Sequence, residues 1–178
     1  MIRTIMAFDI ATHTGVAFGI VGETPRSTTI DLGQGKSQAL RFAKAIKTTK
    51  HLITRYKPDL VVYEAPIGGK FSSQFLVGLA ACVTGQASIE CKKPPVKLNI
   101  GAVRKHFLGR NVTTRDFPGM SKANAKKAIK QVVIGRCTLL GWKVDSDDAA
   151  DACALWDYAC AHYAKAQAAP LGGLFHGS

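Results

Sequence analysis

The sequence predicts an α/β domain: a central mixed five-stranded sheet that opens with an antiparallel meander and carries helices on both faces. Three observations predict it. The chain begins with three short runs rich in β-formers, separated by glycine-containing turns. A helical pattern then leads into DLVVYE (Asp59–Glu64), a short apolar run stopped by Ala-Pro, the mark of a strand buried on both faces. Beyond it, helical segments alternate with one more short strand. At 178 residues, 47% hydrophobic and 20% charged, the chain suits one domain with a sizeable core and is neither disordered nor collagen-like. Residues 1–168 are assigned to that domain and 169–178 to a frayed tail.

The elements follow in order. Ile2–Ile10 reads as a strand ending near Asp9, Ala11–Gly15 as a turn, Val16–Val21 as a second strand and Ser27–Leu32 as a third, closed by Gly33 and Gly35. From Lys36 to Lys57 the period becomes helical, with Phe42, Ile46, Ile53 and Tyr56 on the inner face and Pro58 as the stop. Phe71–Glu90 is a helix apolar nearly all round, with Gly78, Ala80, Ala81 and Gly85 permitting close approach; such a helix is central to the core or forms an interface. Pro94–Ile100 is the fifth strand and Ala102–Leu108 a short helix, followed by a basic loop over Gly109–Met120. Ser121–Leu140 is a Lys-rich helix with Ala125, Ile129, Val132 and Val133 inward. Asp147–Lys165 is the last long helix, capped by Asp145 or Ser146.

Charge narrows the partners. The net charge is +12 and the pI about 9.7. Residues 92–143 carry thirteen Lys/Arg against one acid, Asp116, whereas residues 144–178 carry five Asp and one Lys. A segregated basic block predicts a polyanionic partner, with nucleic acid first. Arg104, Lys105, Arg110, Arg115, Lys126, Lys127 and Lys130 are the candidate phosphate contacts, although any one lysine can equally belong to a solvated helix face. Residues 71–89 are uncharged but too polar to span a bilayer, so no membrane partner is expected. The cysteines Cys82, Cys91, Cys137, Cys153 and Cys160 form no CxxC pair, and the histidines offer no zinc spacing. With no targeting segment at the start, reduced thiols and a cytoplasmic location are expected.

Four acids stand where chemistry can use them. Asp9 lies in the first strand amid Met6, Phe8 and Ile10, and Glu64 ends the central strand. Asp148 and Asp151, three apart on one helix, project together. Like charges that close repel unless a cation lies between them, and an all-oxygen donor set favours Mg²⁺ or Mn²⁺ over zinc. Such a set can hold two ions about 3.5–4 Å apart, the arrangement for in-line attack of water on a phosphodiester. Ordinary readings exist for each. Asp147 and Asp148 favour the positive end of a helix, and Glu64 could be a solvated strand end. Whether Asp147 joins the metal set stays open. Asp151 lies a turn further in among alanines, where an acid has no structural excuse.

FDIATHTGVAFG, VVYEAP and DSDDAADACALWDYA, taken together, resemble the RuvC-type Holliday-junction resolvases of the RNase H-like superfamily, over about residues 2–163. The resemblance implies an RNase H-like fold and a homodimeric endonuclease that resolves four-way DNA junctions by paired symmetric nicks. It implies two Mg²⁺ per site, Mn²⁺ substituting, held by Asp9, Glu64, Asp148 and Asp151, with no small-molecule cofactor. Phe71 is similar to the family's junction-stacking phenylalanine, Gln74–Gly85 to its dimerisation helix, and Arg104 (or Lys105) and Lys122 to its two functional lysines. Lys122 would then be catalytic, close to the phosphate oxygens. The family's short glycine-rich connection before the second lysine is replaced here by the longer, basic Gly109–Met120. A broader debranching nuclease of the same fold and a non-catalytic junction binder are the alternatives. Asp9–Gly15 also resembles the phosphate turn of sugar-kinase and actin-like ATPases, but those need two such domains.

Overall fold

The computed structural model describes residues 1–64 and 71–164, leaving aside the side chains of residues 71–73. The frayed-tail expectation for 169–178 and the contacts of Phe71 lie outside these residues. Five strands form one sheet: β1 (Thr4–Asp9), β2 (His13–Ile20), β3 (Arg26–Asp31), β4 (Leu60–Glu64) and β5 (Val96–Leu98), in the order β3-β2-β1-β4-β5. The meander pairs antiparallel, and β4 and β5 add parallel to β1. The helices are α1 (Gln38–Tyr56), α2 (Phe71–Cys91), α3 (Ile100–Leu108), α4 (Lys122–Leu139) and α5 (Asp147–Ala159). No described helix is long and apolar enough to cross a membrane.

Strand pleating sends alternate residues to opposite faces. Ile5 and Ala7 of β1, Ala17 of β2 and Val62 of β4 meet Val103, Phe107, Val133, Cys137 and the inner side of α5. Met6, Phe8, Val16 and Val61 meet Ala45, Ile53, Leu79, Val83 and Ala87 of α1 and α2 on the other face. The α5 helix is the most deeply set, buried from Ala149 to Trp156. Its four alanines in that stretch, at positions 149, 150, 152 and 154, let its backbone press close to the sheet.

Several boundaries and faces differ from the sequence reading. β2 starts at His13, not Val16, because antiparallel pairing continues until Asp9 faces Gly15. β5 shrinks to Val96–Leu98 because Asn99 caps α3, accepting the Ala102 N–H at 3.1 Å and drawing Ile100 into the helix. The last helix is α-helical only to Ala159 and widens into a π turn over Cys160–Ala164. Ile46 and Val132, expected inside, are 39% and 36% exposed because α1 and α4 each bury a narrower stripe. The basic loop is partly ordered by a 3₁₀ turn at Thr114–Asp116. There Asp116 accepts the Thr113 N–H and pairs with Arg110 at 2.7 Å. All five cysteines are free thiols.

Candidate active site

The ends of β1 and β4 define the floor of the site. These strands are parallel neighbours with Phe8 beside Tyr63, which puts Asp9 and Glu64 at adjacent carboxyl ends. Asp9 has the pleat parity of Ile5 and Ala7, and Glu64 that of Val62, so both belong to the face covered by α5. Register is held at the far ends of the same strands. Asp59 accepts the backbone N–H of Arg3 at 2.8 Å and of Thr4 at 2.9 Å, and the Thr4 hydroxyl at 3.0 Å.

The roof is the first two turns of α5. Ser146 caps it, its hydroxyl accepting the Ala149 N–H at 2.9 Å. Asp148 and Asp151 then descend toward the sheet. Asp151 is 3% exposed, the one fully buried carboxylate among the described residues. Its Oδ2 meets the Arg104 guanidinium of α3 at 3.4 Å. Its Oδ1 is buried without a hydrogen-bond partner. Lys130, on α4, ion-pairs with Asp147 at 2.6 Å and Asp148 at 3.6 Å.

The electrostatics are those of crowded anions. Loss of solvent, then the charges of Glu64, Asp151 and Asp148, push the Asp9 carboxyl well above the ordinary range. Desolvation and then Asp151 raise Glu64, against the pull of Asp9, Arg104 and Lys130. Desolvation raises Asp148 and Asp151 despite Lys130 and Arg104 respectively. Asp147 behaves differently: its hydrogen bond from Lys130 holds it below the ordinary range. Asp147 pairs with Lys130 beside Asp148, at the outer edge of the cluster.

Asp9, Glu64, Asp148 and Asp151 are thus brought together from three elements. Among the described residues no three of their kind grip a single point as they stand. Each is engaged elsewhere: Asp9 with Glu64, Asp148 with Lys130 and Asp151 with Arg104. The donor set nonetheless fits a hard divalent cation. It is all oxygen, its members repel one another, and the buried Oδ1 of Asp151 has no hydrogen-bond partner.

The basic candidates divide into three groups, one of them Arg110 alone, which pairs with Asp116. Arg104 and Lys130 turn inward onto the acids. Lys105, Lys126, Lys127 and Arg115 are exposed, and Lys122 stands exposed in the first turn of α4. Sequence reasoning counted Lys130 among phosphate contacts and missed that it meets the acids. The missing signal was the relative run of α4 and α5, which places Lys130 beside Asp147.

No protein-family model matches the chain, and no curated protein matches it in sequence. Solved structures do resemble it. The structure of RuvC from Thermus thermophilus matches with a TM-score of 0.62 at 15% identity, covering 90% of this chain and 97% of that one. T. thermophilus RuvC in complex with Holliday junction substrate matches with a TM-score of 0.62 at 18% identity, covering 86% and 90%. The yeast mitochondrial Holliday junction resolvase Ydc2 matches with a TM-score of 0.51 at 11% identity, covering 90% and 81%. The chain has the fold of these proteins, the RNase H-like architecture expected from its sequence.

Proposed function

We propose that this protein is a metal-dependent endonuclease that resolves four-way DNA junctions by paired symmetric nicks. One observation carries the reading: four mutually repelling carboxylates from β1, β4 and α5 meet at one end of a RuvC-like sheet, beside a strongly basic pair of helices. The neighbour bound to Holliday junction substrate supports branched DNA as the partner.

Asp9, Glu64, Asp148 and Asp151 hold Mg²⁺, two ions per site, with Mn²⁺ able to substitute. When bound, the ions supply Lewis acidity at the scissile phosphate and a water of lowered pKa. The chain supplies the rest. Arg104 and Lys130 offset the charge of Asp151 and Asp148 and orient those carboxylates, which would hold the ions. Lys122 adds positive charge at the head of α4 and can offset charge building on the phosphate oxygens. Lys105, Arg110, Arg115, Lys126 and Lys127 contact backbone phosphates, giving register and affinity without base specificity. Phe71 is assigned to stacking at the opened junction centre on the sequence resemblance alone.

A second copy of the chain completes the reaction, since two opposed strands are cut across a two-fold junction. The α2 helix offers the surface. Gln74, Val77, Ala81, Gly85 and Ile89 are exposed at helical spacing without a charge, Val77 at 51% and Ile89 at 70%.

The test is strand-specific cleavage of a mobile four-way junction with and without Mg²⁺ or Mn²⁺, beside linear duplex and Y-fork controls. Paired, ion-dependent nicks on the junction alone are expected. Equal cutting of Y-forks would make it a general debranching nuclease. Tight junction binding without a cut in either ion would make it a binding protein.

A further inference from the structure

We propose that Gly15 and Thr29 are positioning residues that seat the head of α5 on the sheet and thereby set the gap between Asp9 and the Asp148–Asp151 pair. The inference rests on reading those acids as ion ligands. Asp9, Gly15 and Thr29 occupy one rung across β1, β2 and β3, each facing the next. Gly15 shares the pleat parity of Ala17, which packs on the α5 face.

A methyl group at Gly15 would lie 1.9 Å from the carbonyl oxygen of Asp148, 2.4 Å from its carbonyl carbon and 3.1 Å from the Ala149 nitrogen. All three are backbone atoms, so no rotamer change relieves the clash. Gly15 is not among the positive-φ residues and sits in regular strand, so the glycine serves close approach alone. It sets the height of the helix head above the sheet.

Thr29 sets its lateral position. Its hydroxyl shares a hydrogen bond with the hydroxyl of Ser146, the cap of α5, and lies 3.4 Å from Asp145 Oδ1. Ser146 in turn accepts the Ala149 N–H. Two strands away from the acids, the edge of the sheet thus holds the first turn that carries Asp148. Supporting contacts of this kind orient ligands that do not touch them.

Thr29→Val keeps the shape and removes the hydroxyl; Thr29→Ser keeps the hydroxyl. Two readouts are taken: the Mg²⁺ and Mn²⁺ concentrations that half-saturate thermal stabilisation without DNA, and junction cleavage alongside junction affinity. For Thr29→Val the half-saturating concentration rises, and the cleavage rate falls, by about 10–100-fold at unchanged junction affinity. Thr29→Ser restores both. Gly15→Ala changes both in the same direction and further; if it fails to fold, the Thr29 pair decides. Parental ion midpoints and rates in Thr29→Val, or no rescue by Thr29→Ser, overturn the proposal. A parent stabilised by the ions that cuts no branched DNA sinks the resolvase reading, and the ion midpoints still test the seat. A parent indifferent to both ions overturns the seat itself.

Discussion

Asp151 is the most deeply buried carboxylate among the described residues. A carboxylate buried to this extent costs several kcal/mol unless paired. Arg104 satisfies one oxygen while the other stays bare. Asp151→Asn is therefore expected to lower cleavage by at least about 100-fold and leave junction affinity unchanged. Without divalent ions the same substitution raises Tm, because it removes a buried charge from a repelling cluster. A parental cleavage rate in Asp151→Asn would remove it from the ion-binding set. Lys130 and Lys122 can be separated the same way. Lys130 meets Asp147 and Asp148, whereas Lys122 is exposed at the head of α4. Lys130→Met is expected to slow cleavage about tenfold or more and to slow it further than Lys122→Ala, as single-turnover rates will show.

At the level of elements, the site depends on two registrations. One is the seat of α5 on β2 and β3. The other is the parallel pairing of β1 with β4, clamped by Asp59 far from the chemistry. Burial pushes the Asp59 carboxyl up, but the N–H groups of Arg3 and Thr4 outweigh it and hold it below the ordinary range. A depressed folded pKa means that the unfolded chain binds the proton more readily. The clamp therefore stabilises fully above the unfolded pKa of about 4 and loses its contribution as pH falls through the folded value. Asp59→Asn should cost about 1 kcal/mol at pH 7, since the carboxylate is solvent-screened. The cost should be smaller at pH 3. Thermal melts of both proteins at the two pH values check this; an equal gap at both would mean the clamp does not act through its charge.

For the whole molecule, the two faces of the sheet carry different surfaces. The α3, α4 and α5 side carries the acids and the basic block; the α1 and α2 side carries the uncharged stripe of Val77, Ala81, Gly85 and Ile89. A Cβ at Gly85 meets nothing within 4 Å, so a substitution there tests association without disturbing the core. Gly85→Glu is expected to convert a dimer into a monomer in sedimentation and to abolish paired nicking, with the monomer's Tm little changed. A parent that sediments as a monomer at every concentration would remove the dimer from the mechanism.

The sequence by itself determined the sheet, its strand count and the helices on both faces, and it placed four acids on those elements. Each rests on local signals: β-rich runs between glycines, the Ala-Pro stop after DLVVYE, and acids placed among apolar neighbours where burial is costly. Its errors lay at element ends and helix faces. Asn99 takes Ile100 from a strand into a helix, and Val132 faces solvent, because capping and the width of a packed stripe are settled between elements and not along one. What only the tertiary structure decided is who meets whom. Lys130 and Arg104 look like any other cation in a basic block until α3, α4 and α5 are laid side by side. Gly15 reads as a turn glycine until its missing side chain is seen to leave room for the backbone of Asp148. Periodicity along a chain reports which face a residue occupies, whereas distances of a few ångströms between separate elements depend on close packing that no local pattern encodes.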